Sequence, residues 1–148
     1  MHFGVQPDVV TTAKGLAAGL PMGATLMSEK VADVLGYGDH GSTFGGNPVC
    51  AAAAISVLER MDEAFLADVA AKGAYIKDRL EAAGYEVSGK GLMIGIKTEK
   101  PVGEVLAACI EKGVLCLSAK EKLRLLPPLN IPMELLSEAI DIIIEALG

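Results

Sequence analysis

Cysteine is scarce in this sequence, and what there is falls in no metal-binding or disulfide pattern. Cys50, Cys109 and Cys116 form no CxxC pair, and His2 and His40 lie far along the chain from any cysteine pair. Zinc centres and a disulfide framework are thereby disfavoured, and the three thiols read as small buried hydrophobes in a reducing compartment. A basic stripe is also missing: the 13 Lys and Arg are scattered against 19 Asp and Glu, for a net charge of −6. Such a surface does not attract a polyphosphate backbone, so nucleic acid is excluded as a partner. Met1 is followed by neither a basic region nor a signal-type apolar run, and the expectation is a cytoplasmic protein. The apolar stretch 9–27 is interrupted by Lys14, Gly15, Gly19, Pro21 and Gly23, which argues against a membrane span. Internal repeats and low-complexity tracts are absent.

What is present is apolar and helix-rich. Hydrophobic residues make up 51% of the 148 positions, and the mean hydropathy of +0.42 is high for a free monomer. Part of this apolar surface is expected to meet another chain or segment. Asp8–Thr11 and Gly23–Met27 read as short strands joined by a Gly/Pro-rich connection that carries Lys14. Ser28 is placed to cap a short helix through Leu35. Residues 36–47 form a loop with five glycines, closed by Asn47 as a helix cap and Pro48 at the first helical position. Helices follow from Pro48 to about Met61 and from Asp62 to the Gly84 stop, the second with Phe65, Val69, Ile76 and Leu80 on one side. The remainder reads as strands 85–88 and 92–98, a helix 101–112, strands 114–118 and 122–126, and a last helix Pro132–Leu147, an α+β unit with helices on one face of a small sheet. The composition shift sets a domain boundary near residue 60, giving 1–60 and 61–148.

Three features carry chemistry. Lys14 stands in TTAKGLAAGLPMGA, and from Val9 to Ser28 the chain has no other charge. A desolvated amine loses proton affinity and becomes a nucleophile suited to condensing with an aldehyde; the alternative is a snorkelling lysine whose stem packs while its head reaches water. Ser42 and Thr43 lie in HGSTFGGNP, a glycine loop before a helix N-terminus where hydroxyls and backbone amides can hold a phosphate; the alternative is a structural turn capped by Asn47. No GK[ST] follows the glycines, so the loop is not a P-loop. Arg124 sits in LRLLPPLNI between leucines. A guanidinium there needs a carboxylate, either from a ligand or from an internal salt bridge.

The order of an AKG lysine after a PDVVT strand, a GSTFGGNP loop about thirty residues on, then KGLMIGI (90–96) and RLLPPLNI (124–131) resembles the C-terminal portion of the class III, fold-type I pyridoxal-phosphate aminotransferases, most closely those acting on acetylornithine. The resemblance runs from Phe3 to the end. It implies an α/β large-domain end over 1–60 and a small α+β domain over 61–148. It further implies that Lys14 condenses with the pyridoxal 5'-phosphate aldehyde and shuttles the substrate proton. Ser42 and Thr43 would belong to a loop that crosses a homodimer interface to the phosphate of the neighbouring cofactor. Arg124 would lie by the substrate carboxylate, and Gly91 would be structural. No metal is implied, and the partners would be amino-acid and 2-oxo-acid substrates.

Members of that family are considerably longer, and their pyridine-nitrogen acid, ring-stacking aromatic, main phosphate loop and a further substrate arginine lie in a region preceding the one matched here. Asp8 does not match the pyridine acid. The resemblance therefore implies transfer from N-acetylornithine or a related ω-amine to 2-oxoglutarate, in arginine biosynthesis, with very slow turnover by this polypeptide alone. Ornithine, succinylornithine and 4-aminobutyrate aminotransferases and an aminomutase are the alternatives within the family. A noncatalytic dimerisation domain is the alternative outside it.

Overall fold

A computed structural model describes residues 3–148, leaving Met1 and His2 outside. The chain divides into two compact units, Met1–Asp62 and Glu63–Gly148.

In the first unit, β1 (Val9–Thr12) and β2 (Ala24–Met27) pair antiparallel, Val9 opposite Met27 and Thr12 opposite Ala24. The connection between them includes a short 3-10 helix, Lys14–Ala17, which packs on α1 (Pro48–Glu59). That packing buries little. Among the described apolar residues of this unit only Ala17 and Ala54 are buried, while Val9, Val10, Leu26, Met27, Phe44, Val49 and Ile55 are exposed. A two-stranded ribbon is marginal without a layer against it, so this unit carries apolar surface of the kind that packs on other protein.

Two local expectations change here. The segment after Ser28 is a 3-10 helix, Glu29–Val34, and the Ser28 side chain does not cap it. Its hydroxyl instead donates to Asp8 Oδ1 (3.0 Å), beside the Lys30 ammonium on Asp8 Oδ2 (2.8 Å). A tertiary carboxylate competes with the helix amides for the same short side chain, and wins.

The second unit is an α+β layer pair. Its sheet has the order β3 (Val87–Lys90), β4 (Met93–Lys97), β6 (Lys122–Leu125), β5 (Leu117–Ala119), antiparallel throughout. Period-two alternation puts Ile94, Ile96, Leu123 and Leu125 on one buried face. Helices α2 (Glu63–Ala82), α3 (Val102–Glu111) and α4 (Met133–Leu147) cover it. Ile76 and Leu80 of α2, Val105 and Cys109 of α3, and Leu136, Ile140, Ile143 and Leu147 of α4 complete one aliphatic core. Their spacings of three, four and seven follow the helical repeat. Outside that core, Tyr75 donates to Ser137 (2.8 Å) while Arg79 donates to Tyr75 and pairs with Asp141, joining α2 to α4.

Phe65 and Val69 are only half-buried, and α2 buries Lys72 and Gly73 instead. The Lys72 ammonium is held by Asp68 one turn earlier, and Gly73 lets the helix lie against the β3–β4 turn. Among the described residues no helix is long and apolar enough to cross a membrane.

Candidate functional site

Lys14 opens the 3-10 helix with φ +55, after an Ala13 at φ −160, ψ −154; Ala18 closes the helix at φ +51. Left-handed backbone at a residue with a Cβ is unfavourable and worth a functional question. The Lys14 side chain is exposed in this chain. The desolvation expected of a nucleophilic amine is therefore not supplied by the described residues. No described residue makes a hydrogen bond or ion pair to its ammonium, and an exposed, unpaired head is what the snorkelling alternative expects.

Ser42 lines a cavity of about 200 Å³ with Pro21, Met22 and Gly23 from the connection after Lys14, and with Phe44, Asn47 and Cys50. The fold thus brings the 42–47 loop to the chain leaving the lysine helix. Lys14 and Thr43 do not line that cavity. Neither the Ser42 nor the Thr43 hydroxyl is engaged by another described residue, so both can donate to an anion.

The amides at the start of α1 cannot. Asn47 Oδ1 accepts from Val49 N (3.0 Å) and Cys50 N (3.3 Å), the Asn47 carbonyl accepts from Ala51 N (2.9 Å), and Pro48 has no N–H. The expected cap is present, and it consumes the donors that a helix N-terminus would otherwise offer a phosphate. An anion at this loop is left with the two hydroxyls and the loop amides that precede the helix.

Asp8, six residues before Lys14, is tied up by Ser28 and Lys30, and the Lys30 hydrogen bond holds its carboxyl below the usual range. It pins the end of β1 to the residues after β2.

Arg124 lies in the second unit, on β6, opposite Gly95 of β4 on one side and Leu117 of β5 on the other. It points away from the helix-covered face that holds Leu123 and Leu125. Its Nε is buried and has no hydrogen-bond partner. No described carboxylate pairs with it, so the internal salt bridge that would have been the plain explanation is not there. A buried N–H without a partner is costly.

Lys122, which the sequence reading passed over, lies two residues before Arg124 on the same face and reaches Ser88 on β3 (2.8 Å). Only the strand parity of 122 and 124, together with a glycine at 95, could have drawn attention to it beforehand. A separate cavity of about 490 Å³, lined by Ile76, Cys116, Leu125, Pro127, Ile131 and Ile140, is mostly apolar and contains neither Lys14 nor Arg124. Among the described residues there is no group of three or more His, Cys, Asp or Glu that could hold a metal.

Comparison with known proteins shows the family and the fold. An acetylornithine aminotransferase of Haemophilus ducreyi is 46% identical over 151 residues, covering 99% of this chain and 38% of its own length. One from Bacillus subtilis is 38% identical, covering 99% of this chain and 40% of its own. In three dimensions the chain matches an acetylornithine aminotransferase from Elizabethkingia anophelis with a TM-score of 0.88 at 31% identity, over 99% of this chain and 42% of that one. The ornithine aminotransferase of Toxoplasma gondii gives a TM-score of 0.91, also at 31% identity, over 99% and 38%. The chain thus spans about two-fifths of the length of the relatives it matches. The family described as Aminotransferase class-III matches residues 1–147, and the chain belongs to that family of pyridoxal-phosphate-dependent enzymes.

Proposed function

We propose that this chain contributes the condensing lysine, phosphate-loop hydroxyls and a carboxylate-binding arginine to an aminotransferase that moves an amino group from N-acetylornithine, or a related ω-amine, to 2-oxoglutarate. The reaction would serve arginine biosynthesis in the cytoplasm, and the enzyme would be a homodimer. The observation that carries the reading is the left-handed backbone at Lys14, φ +55. Such a conformation costs on the order of 1 kcal/mol and persists where the position of a side chain matters more than local comfort.

The cofactor, when bound, supplies an aldehyde and a ring that takes up the electrons released at the substrate Cα. Lys14 Nζ would hold the cofactor at its aldehyde and, as a free amine, would accept the proton that leaves the substrate Cα. Ser42 and Thr43 donate their hydroxyls to the phosphate, in the homodimer that of the neighbouring cofactor. Arg124 would offer its guanidinium to a substrate carboxylate. The acid that protonates the ring nitrogen is not Asp8, whose oxygens are occupied by Ser28 and Lys30. We place it in a segment of the longer relatives outside the matched two-fifths.

Incubation with pyridoxal 5'-phosphate, reduction with borohydride and peptide mapping by mass spectrometry tests the reading. The expected result is a pyridoxyl adduct concentrated at Lys14 and lost in Lys14→Arg. Label spread over the surface lysines with no preference for position 14 would favour a noncatalytic domain.

A further inference from the structure

We infer that Ala54 of α1 is a positioning residue for Lys14: it seats the last residue of the lysine helix and so fixes where the amine stands. The inference rests on reading Lys14 as the condensing lysine.

The lysine helix has little to hold it from within. Lys14 and Ala18, at its two ends, both have left-handed backbone, φ +55 and +51, and no side chain caps its start. The hydrogen bonds Leu16 N to Ala13 O and Ala18 N to Gly15 O are both 3.2 Å, at the long end of the normal range. Such a conformation persists only where the surroundings over-determine it. Of the four residues of this helix only Ala17 is buried, at 0% exposure. Lys14 and Ala17 are one 3-10 turn apart, roughly 6 Å along the axis, so whatever fixes Ala17 also fixes the lysine Cα.

The surroundings in question are α1. The lysine helix packs on it, and Ala54 is the one buried residue of α1. Burial along α1 runs against side-chain size. Val49, Ile55 and Leu58 are exposed at 66%, 56% and 57%, while Cys50, Ala51 and Ala53 are half-buried beside Ala54. A helix packed for apolar area alone would turn Ile55 and Leu58 toward its neighbour. This one turns an alanine, which admits the closest backbone approach.

A second contact holds the same connection farther along. Pro21, Met22 and Gly23 line the cavity of about 200 Å³ together with Asn47 and Cys50. Positions 47, 50 and 54 recur at spacings of three and four, hence along one side of the helix. The connection leaving β1 is therefore held to α1 at two heights, and Ala54 serves the one nearer the lysine. A side chain larger than methyl at 54 must push the 3-10 turn outward, and a displacement of about 1 Å at a reacting group can cost on the order of a hundredfold in rate.

The test places one substitution at two positions of α1 in the whole 148-residue chain. Ala54→Val and Ala52→Val carry the same loss of helix propensity, but residue 52 is exposed. The rate at which pyridoxal 5'-phosphate and borohydride label Lys14 should fall at least about tenfold in Ala54→Val and stay within about twofold of wild type in Ala52→Val. Without cofactor, amide exchange over residues 13–18 should quicken in Ala54→Val alone, while residues 48–59 keep their protection. Should α1 itself lose protection, Ala54→Cys, one atom larger than the native residue, carries the same expectation at smaller magnitude. Ala17→Gly, which removes the methyl on the other side of the contact, should restore most of the rate lost in Ala54→Val. Equal labelling or equal exchange in the 52 and 54 variants, or no rescue by Ala17→Gly, would overturn the inference. Wild-type label with no preference for position 14 would remove the aminotransferase reading, whereas label at Lys14 that is indifferent to residue 54 would remove only the positioning role.

Discussion

Gly73 on α2 and Gly91 in the β3–β4 turn are in direct backbone contact: a Cβ at position 73 would stand 2.5 Å from the Gly91 carbonyl oxygen and 2.9 Å from its carbonyl carbon. Helix α2 therefore approaches the turn as closely as backbone permits, and this contact sets where Ile76 and Leu80 meet the sheet.

Gly73→Ala is accordingly expected to destabilise the second unit by about 1–3 kcal/mol, the usual cost of overpacking a fixed backbone. Alanine is the better helix former by about 1 kcal/mol, so on an unobstructed helix the substitution would stabilise. A fall in the denaturation midpoint checks the claim, and a rise would show that α2 can shift away without loss.

Lys14→Gly and Lys14→Ala separate backbone strain from chemistry. Both remove the amine, and both should lose the pyridoxyl adduct. Only glycine relieves the left-handed φ, so Lys14→Gly should slow amide exchange around residues 13–18 relative to Lys14→Ala, by a factor corresponding to about 1 kcal/mol. Equal protection in the two variants would mean that the lysine backbone is not strained.

Cys109 and Cys116 share a hydrogen bond in the core, and burial pushes both thiols up, Cys116 to about 12 from an ordinary 9.0. The folded chain keeps a proton that the unfolded chain releases above pH 9. Stability should then be unaffected by this group below about pH 9 and fall as pH rises from about 9 toward 12. Cys116→Ala should flatten that slope, as measured by denaturant midpoints across the alkaline range. In the native protein at pH 8, iodoacetamide should leave Cys116 and Cys109 unmodified until the chain unfolds.

Much of this protein is written locally. The α4 repeat of Leu136, Ile140, Ile143 and Leu147 and the alternation at Ile94, Ile96, Leu123 and Leu125 identify a helix and two half-buried strands, because burial on one side leaves a period in the sequence. Asn47-Pro48 announces a capped helix start for the same reason: the cap bonds span only three residues. The motifs around Lys14, Ser42, Thr43 and Arg124 were likewise legible as candidate chemistry.

Other features depend on residues distant in the chain. Ser28 has the composition of a cap, yet it serves Asp8 twenty residues earlier. Lys72 reads as part of a solvated helix face and is buried. Lys122 looks like one surface lysine among several until β3, β4 and β6 are laid side by side and Gly95 opens a path to Ser88.

The sequence alone determined most element types, the family and the candidate reactive residue types, since each is encoded in spacing or identity over a few residues. Tertiary structure decided that Arg124 has no carboxylate partner among the described residues, that the amides of the α1 start are already used, and that Lys122 shares a face with Arg124. Those facts concern what remains unpaired after folding, and pairing between distant strands leaves no local trace in the chain.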